Sequence, residues 1–253
     1  MKRYLAALFI ISQPLLAQAK PNIVFILADD LGYGDIGAFG QETLKTPRLD
    51  KMASDGMMFT QFYSGSTVCA PSRSVLMTGK HIGNTVVRGN STKPIVIQPG
   101  DTTVASLLKK AGYTTGCVGK WGIGTPDNFT NPNDVGFEHF YGYINMWHAH
   151  NFYPEFLIRN GKVEKLDNEV AEKWKAYQDP KLPNSGRGVA VKRNQYAPDL
   201  IMEDALDFIK KGYKKEKTFL PLPRPERPPY QQRSREQRDG SARPPPLCGQ
   251  RLA

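Results

Sequence analysis

The chain is 253 residues long, 40% hydrophobic and 23% charged, enough to bury the core of one domain or two small ones. A net charge of +10 by itself suggests an anionic partner, but the excess is dispersed. Lys2 and Arg3 stand at the N-terminus, residues 218–253 hold seven Arg against three acids, and the remainder has no dense basic stripe, which excludes nucleic acid as the partner.

Residues 1–19 read as a cleavable export signal. Lys2 and Arg3 form the positive region, Leu5 to Ile11 is an apolar run extended by Leu15 and Leu16, and Ala17-Gln18-Ala19 is a small-x-small cleavage site. The run is too short for a bilayer span, which takes about 20 apolar residues. No other stretch qualifies, so the expectation is an exported protein, periplasmic or secreted, with no membrane span.

Asn22 to Ala28 (NIVFILA) is a continuous apolar run rich in β-branched residues, which predicts a buried parallel strand. Asp29-Asp30 and a glycine-rich turn follow. Thr46-Pro47 predicts a helix with Thr as N-cap, Leu49, Met52 and Ala53 inward, and Gly56 as its stop. Met57 to Tyr63 predicts a second strand, and Pro71 to Met77 a helix ending near Thr78-Gly79. Asp101 or Thr102 is expected to cap a helix with Val104, Leu107, Leu108 and Ala111 inward, ended by Gly112. Tyr113 to Gly119 predicts a third strand, with Cys117 as a small buried hydrophobe and Lys120 just beyond. Residues 122–142, rich in Gly, Asn and aromatics, read as loops over a site. Residues 151–195 show no clear period and read as a surface excursion. Pro198 to Lys211 predicts an amphipathic helix with Ile201, Ala205, Phe208 and Ile209 inward and Gly212 as its stop. Strands alternating with helices predict an α/β fold: an open, mostly parallel sheet with helices on both faces. Ligands in such sheets bind beyond the carboxyl ends of strands, where Asp29-Asp30 and Lys120 both fall.

At about Thr218 the composition changes. Residues 218–253 hold eight of the twenty prolines, seven Arg and no Lys, and without apolar periodicity they cannot bury a core. Two readings stay open: a disordered basic tail, or a translated frameshift. The second accounts for a helix that should feed a strand running into Phe219-Leu220-Pro221-Leu222-Pro223. The expected organisation is an export signal over 1–19, a catalytic-domain part over 20–217, and a Pro/Arg-rich tail over 218–253.

The chemistry concentrates in Cys69-Ala70-Pro71-Ser72-Arg73, followed by Thr78-Gly79. This puts a small nucleophile precursor just before a helix N-terminus, whose free N–H groups and positive dipole favour an anion. Arg73 adds a fixed cation one turn in, suited to an oxyanion. The adjacent carboxylates of Asp29 and Asp30 repel unless a cation or proton intervenes, and hard oxygen donors suit Ca²⁺ or Mg²⁺; a solvated turn is the plain alternative. Lys120 in Gly119-Lys120-Trp121 is either an anion ligand or a surface lysine with a packed stem. The cluster Trp147-His148-Ala149-His150 puts His150 at a pocket mouth or on plain surface, and no third ligand accompanies the two His for a metal. Cys69, Cys117 and Cys248 show no disulfide-framework spacing.

With C-x-P-S-R then T-G, the Asp pair after the first apolar run, and G-K-W, the chain from about Pro21 to Lys217 resembles the front part of the type I sulfatases, within the alkaline-phosphatase-like superfamily. The resemblance implies that a formylglycine-generating or sulfatase-maturating enzyme oxidises Cys69 to formylglycine. One hydroxyl of the hydrated aldehyde then attacks sulfur and releases the alcohol, and the second expels sulfate as the aldehyde reforms. It further implies that Arg73 stabilises the hydrate and the developing charge, and that Lys120 binds a sulfate oxygen and stabilises the leaving group. Asp29, Asp30 and the modified Cys69 would contact a calcium ion, and His150 would lie near the substrate, a sulfated small molecule or sulfated polysaccharide. Two departures stand out. Gly122 occupies the place where many members have His, two residues after the Lys. The second metal-ligand pair, a second Lys and a further His are not found downstream, and Asp127-Asn128 sits too early to be that pair. The expectation is an N-terminal part with an incomplete sheet and an exposed edge, acting as a sulfuric ester hydrolase. The alternative is an inactive sulfatase-like fragment or a binding protein with a basic Pro/Arg tail. A phosphohydrolase of the same superfamily is disfavoured, because that branch generally uses Thr or Ser where Cys69 stands.

Overall fold

A computed structural model of the chain describes residues 20–90, 96–124, 131–182 and 184–215. The expected export signal, Asp127-Asn128, Cys248 and the Pro/Arg-rich tail lie outside the described residues.

The helices are α1 (Pro47–Asp55), α2 (Cys69–Thr78), α3 (Val104–Lys110) and α4 (Ala197–Lys215). The main sheet has the order β1-β2-β3-β4, from β1 (Gly116–Lys120), β2 (His139–Tyr143), β3 (Phe156–Arg159) and β4 (Lys162–Lys165). β1 and β2 are parallel, with Cys117 opposite Phe140 and Gly119 opposite Gly142, and β2, β3 and β4 run antiparallel. A ribbon of β5 (Asn168–Val170) and β6 (Ala190–Arg193) stands apart from this sheet.

Alternation along the strands sorts side chains onto two faces. Phe140, Phe156 and Ile158 pack with Ala70 of α2, Ile97, Trp121 and Ile123. Tyr141, Tyr143 and Leu157 pack with Ala197, Leu200 and Ile201 of α4. Helices therefore cover both faces, as the alternating pattern predicts. Arg159 ties the second face together. Its guanidinium lies 3.8 Å from the centre of the Tyr141 ring, pairs with Glu164 at 2.6 Å, and pairs with Asp204 of α4. His139 meets the same Asp204 and stacks on Phe208.

Several expectations are corrected. The end of 122–142 is not loop, because residues 139–142 belong to β2 and are part of the core, and 151–195 is not a surface excursion but supplies β3 to β6. Their strands span three to five residues, too short for a clear period. Asn160-Gly161, with φ of 47° and 76°, is the two-residue turn that joins β3 to β4, a hairpin signal present in the sequence. The cap of α3 is Thr103, not Asp101 or Thr102. Its Oγ1 accepts from Ser106 N–H at 3.0 Å while its own N–H donates to Ser106 Oγ at 2.9 Å, and the Asp101 carboxylate is already engaged by Gln98 N–H. α4 buries the expected side but runs past Gly212 to Lys215.

The runs 22–28 and 57–63 are not strands among the described residues. Ile23, Phe25, Ile26, Met57, Phe59, Phe62 and Tyr63 are each more than half exposed. Two side-chain contacts reach from residues 20–29 toward β1: Lys20 Nζ donates to Ala111 O, and Asp29 meets Lys120. No β-ladder to either run is present among the described residues, and a strand exists only when neighbours take its N–H and C=O groups. Leu49 and Met52 of α1 and Val104 and Leu107 of α3 are likewise exposed rather than inward; in α3 it is Ala105 that is buried.

Two predictions come from the core. His148 is fully buried, and its Nε2 donates to Phe156 O at 2.8 Å. Burial pushes its pKa down from 6.5 to about 4, against the pull of that hydrogen bond. The folded state thus holds a neutral ring that the unfolded state protonates more readily. Its contribution is complete above pH 6.5 and is lost as pH falls to about 4, on the order of 3 kcal/mol in all. Urea denaturation at about pH 7.5 and about pH 4.5 should show a smaller acid loss in His148→Gln than in the parent chain. Separately, a Cβ on Gly142 would sit 2.1 Å from Gly119 O. Gly142→Ala should therefore cost at least about 2 kcal/mol, read from the same curves.

Candidate active site

Three distant segments meet at one carboxylate. β1 ends at Lys120, and the ladder with β2 continues past it: Trp121 N–H donates to Tyr143 O at 2.8 Å and Gly122 N–H to Ile144 O at 3.1 Å. With Trp121 buried, the backbone beneath Lys120 has no freedom to shift. Lys120 Nζ lies 2.7 Å from Asp29 Oδ2, and Arg73 Nη2 lies 3.1 Å from the same oxygen. Arg73 Nη1 also donates to Lys120 O. Two cations thus share one anion, leaving a net positive centre at the carboxyl end of β1. Partial burial pushes the Asp29 carboxyl up, but the hydrogen bond and charge of Lys120, joined by Arg73, outweigh it and hold the group below the usual carboxylate range.

Cys69 is the first residue of α2, not a residue ahead of it, and Val68 takes the N-cap position. Its spacing of four from Arg73 puts both on one side of the helix. Ala70, Pro71 and Ser74 of the same helix are buried, and Ser74 Oγ hydrogen-bonds Thr85 Oγ1, so the helix sits firmly. The expected free N–H groups are fewer than a bare helix end provides. Ala70 N–H donates to Asn90 Oδ1 at 3.1 Å, and Pro71 has none. Among the first three residues only the Cys69 N–H has no acceptor in the described structure. Asn90 is the contributor that sequence reasoning missed, because a lone Asn in a polar loop carries no signal.

The other expected residues do not all join the cluster. Asp30 follows Asp29 but is exposed and forms no ion pair among the described residues. His150 lies in a single 3-10 turn, His148–His150, exposed, with no hydrogen bond or ion pair to the cluster among the described residues. His148 faces the core instead. Cys117 packs against the core as expected, and burial pushes its thiol up to about 12 despite the nearby charge of Arg73, so it stays neutral. Cys69 and Cys117 are both free thiols.

Asp29 and Asp30 fit calcium by donor type, as hard oxygens. They fall short in number, because calcium takes about 6–8 oxygen ligands and no group of three or more His, Cys, Asp or Glu side chains converges among the described residues. An open cleft of about 510 Å³ lined by Leu44, Lys45, Asp50 and Met58 lies elsewhere and includes none of Asp29, Cys69, Arg73 or Lys120. No described helix is long and apolar enough to cross a membrane.

The sulfatase family model matches residues 21–222. Arylsulfatase G of Homo sapiens is 45% identical over 125 residues, covering 49% of this chain and 24% of that protein. N-acetylgalactosamine-6-sulfatase of Rattus norvegicus is 34% identical over 221 residues, covering 81% of this chain and 38% of that protein. The chain thus spans well under half the length of either relative. Among solved structures, one from work on glycosaminoglycan metabolism by Bacteroides thetaiotaomicron matches with a TM-score of 0.57 at 28% identity, covering 76% of this chain and 48% of that one. Ps i-CgsB in complex with k-i-k-neocarrahexaose matches with a TM-score of 0.54 at 25% identity, covering 72% and 40%. These likenesses bear out the α/β, alkaline-phosphatase-like fold. With the family model spanning residues 21–222 and Cys69, Arg73 and Lys120 all inside it, this chain belongs to the sulfatase family.

Proposed function

We propose that the protein is a sulfuric ester hydrolase whose nucleophile derives from Cys69. The observation that carries this reading is the placement of Cys69 and Arg73 one helical turn apart, with Arg73 and Lys120 converging on Asp29. When formed, the Cys69 aldehyde supplies, as its hydrate, a hydroxyl for attack on sulfur. Arg73 meets two anionic or carbonyl oxygens already and offers a planar fork to a sulfate oxygen. Lys120 presents a compact ammonium suited to the oxygen that gathers charge as the ester bond breaks. Asp29 keeps both cations in place and neutralises part of their mutual repulsion. Asp29 and Asp30 are the residues that would hold the calcium ion implied by the resemblance, and no step above depends on that ion. His150 would line the approach of a sulfated small molecule or saccharide, and residues 1–19 would direct export to the periplasm or beyond.

Support for a sulfated substrate comes from the relatives, arylsulfatase G and N-acetylgalactosamine-6-sulfatase. For a formylglycine it comes from the C-x-P-S-R motif. The test is co-expression with a formylglycine-generating enzyme, followed by mass spectrometry of the peptide over residues 69–73 and assay against an aryl sulfate. Conversion of the thiol to the aldehyde is expected; a wholly unmodified Cys69 would overturn the reading. Binding separates the roles of the cations. Calorimetry with inorganic sulfate should show Arg73→Ala and Lys120→Ala each weakening affinity by about tenfold or more, the loss of one charge-assisted contact.

A further inference from the structure

We propose that Arg187, stacked on Tyr177 and Trp174, is a second anion site, which takes an acidic group elsewhere on a polyanionic saccharide whose ester sulfate lies at Arg73 and Lys120. The inference rests on the hydrolase reading of that cluster and deepens it by naming the substrate class. The guanidinium carbon of Arg187 lies 3.6 Å from the centre of the Tyr177 ring and 5.3 Å from that of Trp174. Rings against its planar face leave its edge, which carries the N–H donors, open to an oxyanion. Among the described residues no carboxylate pairs with it, and its Nε is buried without an acceptor. The nearby Lys175, by contrast, is matched by Glu155 and Glu169. Trp174 Nε1 and Gln178 Oε1 are also buried without partners, so three unsatisfied polar atoms gather in one cluster. Such atoms cost free energy unless something outside the protein completes them. Lys173, exposed, adds a second positive charge 5.6 Å from the Trp174 ring.

The arrangement is held from two sides. Tyr177 and Trp174 belong to the 3-10 helix Glu172–Tyr177. Gly186 N–H donates to Tyr177 O at 2.8 Å, and Gln178 Nε2 donates to both Trp174 O and Arg187 O at 3.0 Å. On its other side the same loop is bound to the chain that leaves β2. Asn145 Nδ2 donates to Ser185 O and Oγ, each at 3.2 Å, and Asn151 Nδ2 to Gly186 O at 3.2 Å. Asn145, Asn151 and Ser185 are all buried. Asn145 directly follows Ile144, whose carbonyl takes the Gly122 N–H. Arg187 therefore stands on a loop anchored at the carboxyl ends of β1 and β2, the end that carries Lys120 and the end where ligands of parallel strands bind. A cation fixed there, with no anion of its own, suits a substrate that carries more than one negative charge.

Calorimetry on the full chain, with the Cys69 thiol unmodified so that no turnover intervenes, compares three probes. One is a methyl hexoside 6-sulfate with a single anion, one a sulfated tetrasaccharide with alternating uronates, and one a tetrasaccharide with several sulfates and no carboxylate. Arg187→Gln should weaken at least one tetrasaccharide by about tenfold, the loss of one charge-assisted contact, and leave the monosaccharide within about twofold. The tetrasaccharide that loses more tells whether the second anion is a carboxylate or a sulfate. Arg187→Lys keeps the charge without the planar fork and should recover part of the loss. In the parent, the same tetrasaccharide should shift the Arg187 Nε–H resonance, identified by its disappearance in Arg187→Lys. Equal tetrasaccharide affinity in parent and Arg187→Gln, an equal loss for all three probes, or a resonance that stays put at saturation overturns the proposal. If Arg187→Gln does not fold, the Lys variant and the parent resonance decide. A tetrasaccharide that shifts the resonance while the monosaccharide does not bind and Lys120→Ala changes nothing sinks the functional reading of the Lys120 cluster and leaves Arg187 standing as an anion site.

Discussion

The pairing of β1 with β2 carries everything at the site. Parallel strands hold each other through evenly spaced, slanted hydrogen bonds, and here that ladder does not stop with the strand. It continues through Trp121 and Gly122 to Tyr143 and Ile144, so the residue that ends β1 is fixed by backbone on both sides. Lys120 therefore presents its ammonium from a rigid base, and its carbonyl is available to Arg73. The closeness of Gly119 to Gly142 lets the two backbones approach where any side chain would part them. A site on a loop would hold the same residue types with far less precision, and reach across 2.7 and 3.1 Å depends on that precision.

Electrostatics then decides what this base does. One carboxylate between two cations is stable as an ion pair and still leaves positive charge over. The charge sits at the end of a strand, next to the first turn of α2, where the helix dipole has the same sign. Both features favour an oxyanion. The burial of Cys117 works in the other direction: its thiol is held neutral, so the charge of Arg73 is not compensated from within the sheet. Of the two cysteines among the described residues, Cys69 alone stands on the helix face with Arg73.

The described structure is uneven, and the unevenness has a physical origin. Around β1 to β4, α2 and α4, aromatic and aliphatic side chains are covered on both faces of the sheet. Around residues 22–28 and 57–63, equally apolar side chains stand exposed. The difference is not composition but partners among the described residues: the first group has β-ladders and covering helices, and the second has no ladder.

Local chemistry was legible in the residues themselves. Thr46-Pro47 and Gly56 bound α1 where they were expected to, Gly79 ends α2, and the apolar stripe of Ile201, Ala205, Phe208 and Ile209 faces the sheet. The same is true of Cys69, Arg73, Asp29 and Lys120, because their motifs are short and contiguous. The core strands over 139–165 were not legible, since four or five residues interrupted by Gly142 and the Asn160-Gly161 turn give too little period to read. Nor could Asn22 to Ala28 reveal whether it pairs, and among the described residues it has no ladder, because pairing is a property of two segments. What only the tertiary structure decided is that Asp29, Arg73 and Lys120 meet and that Asp30 and His150 do not join them. Each depends on distances across tens of residues, set by the β1–β2 ladder and by the seat of α2, which no local pattern encodes.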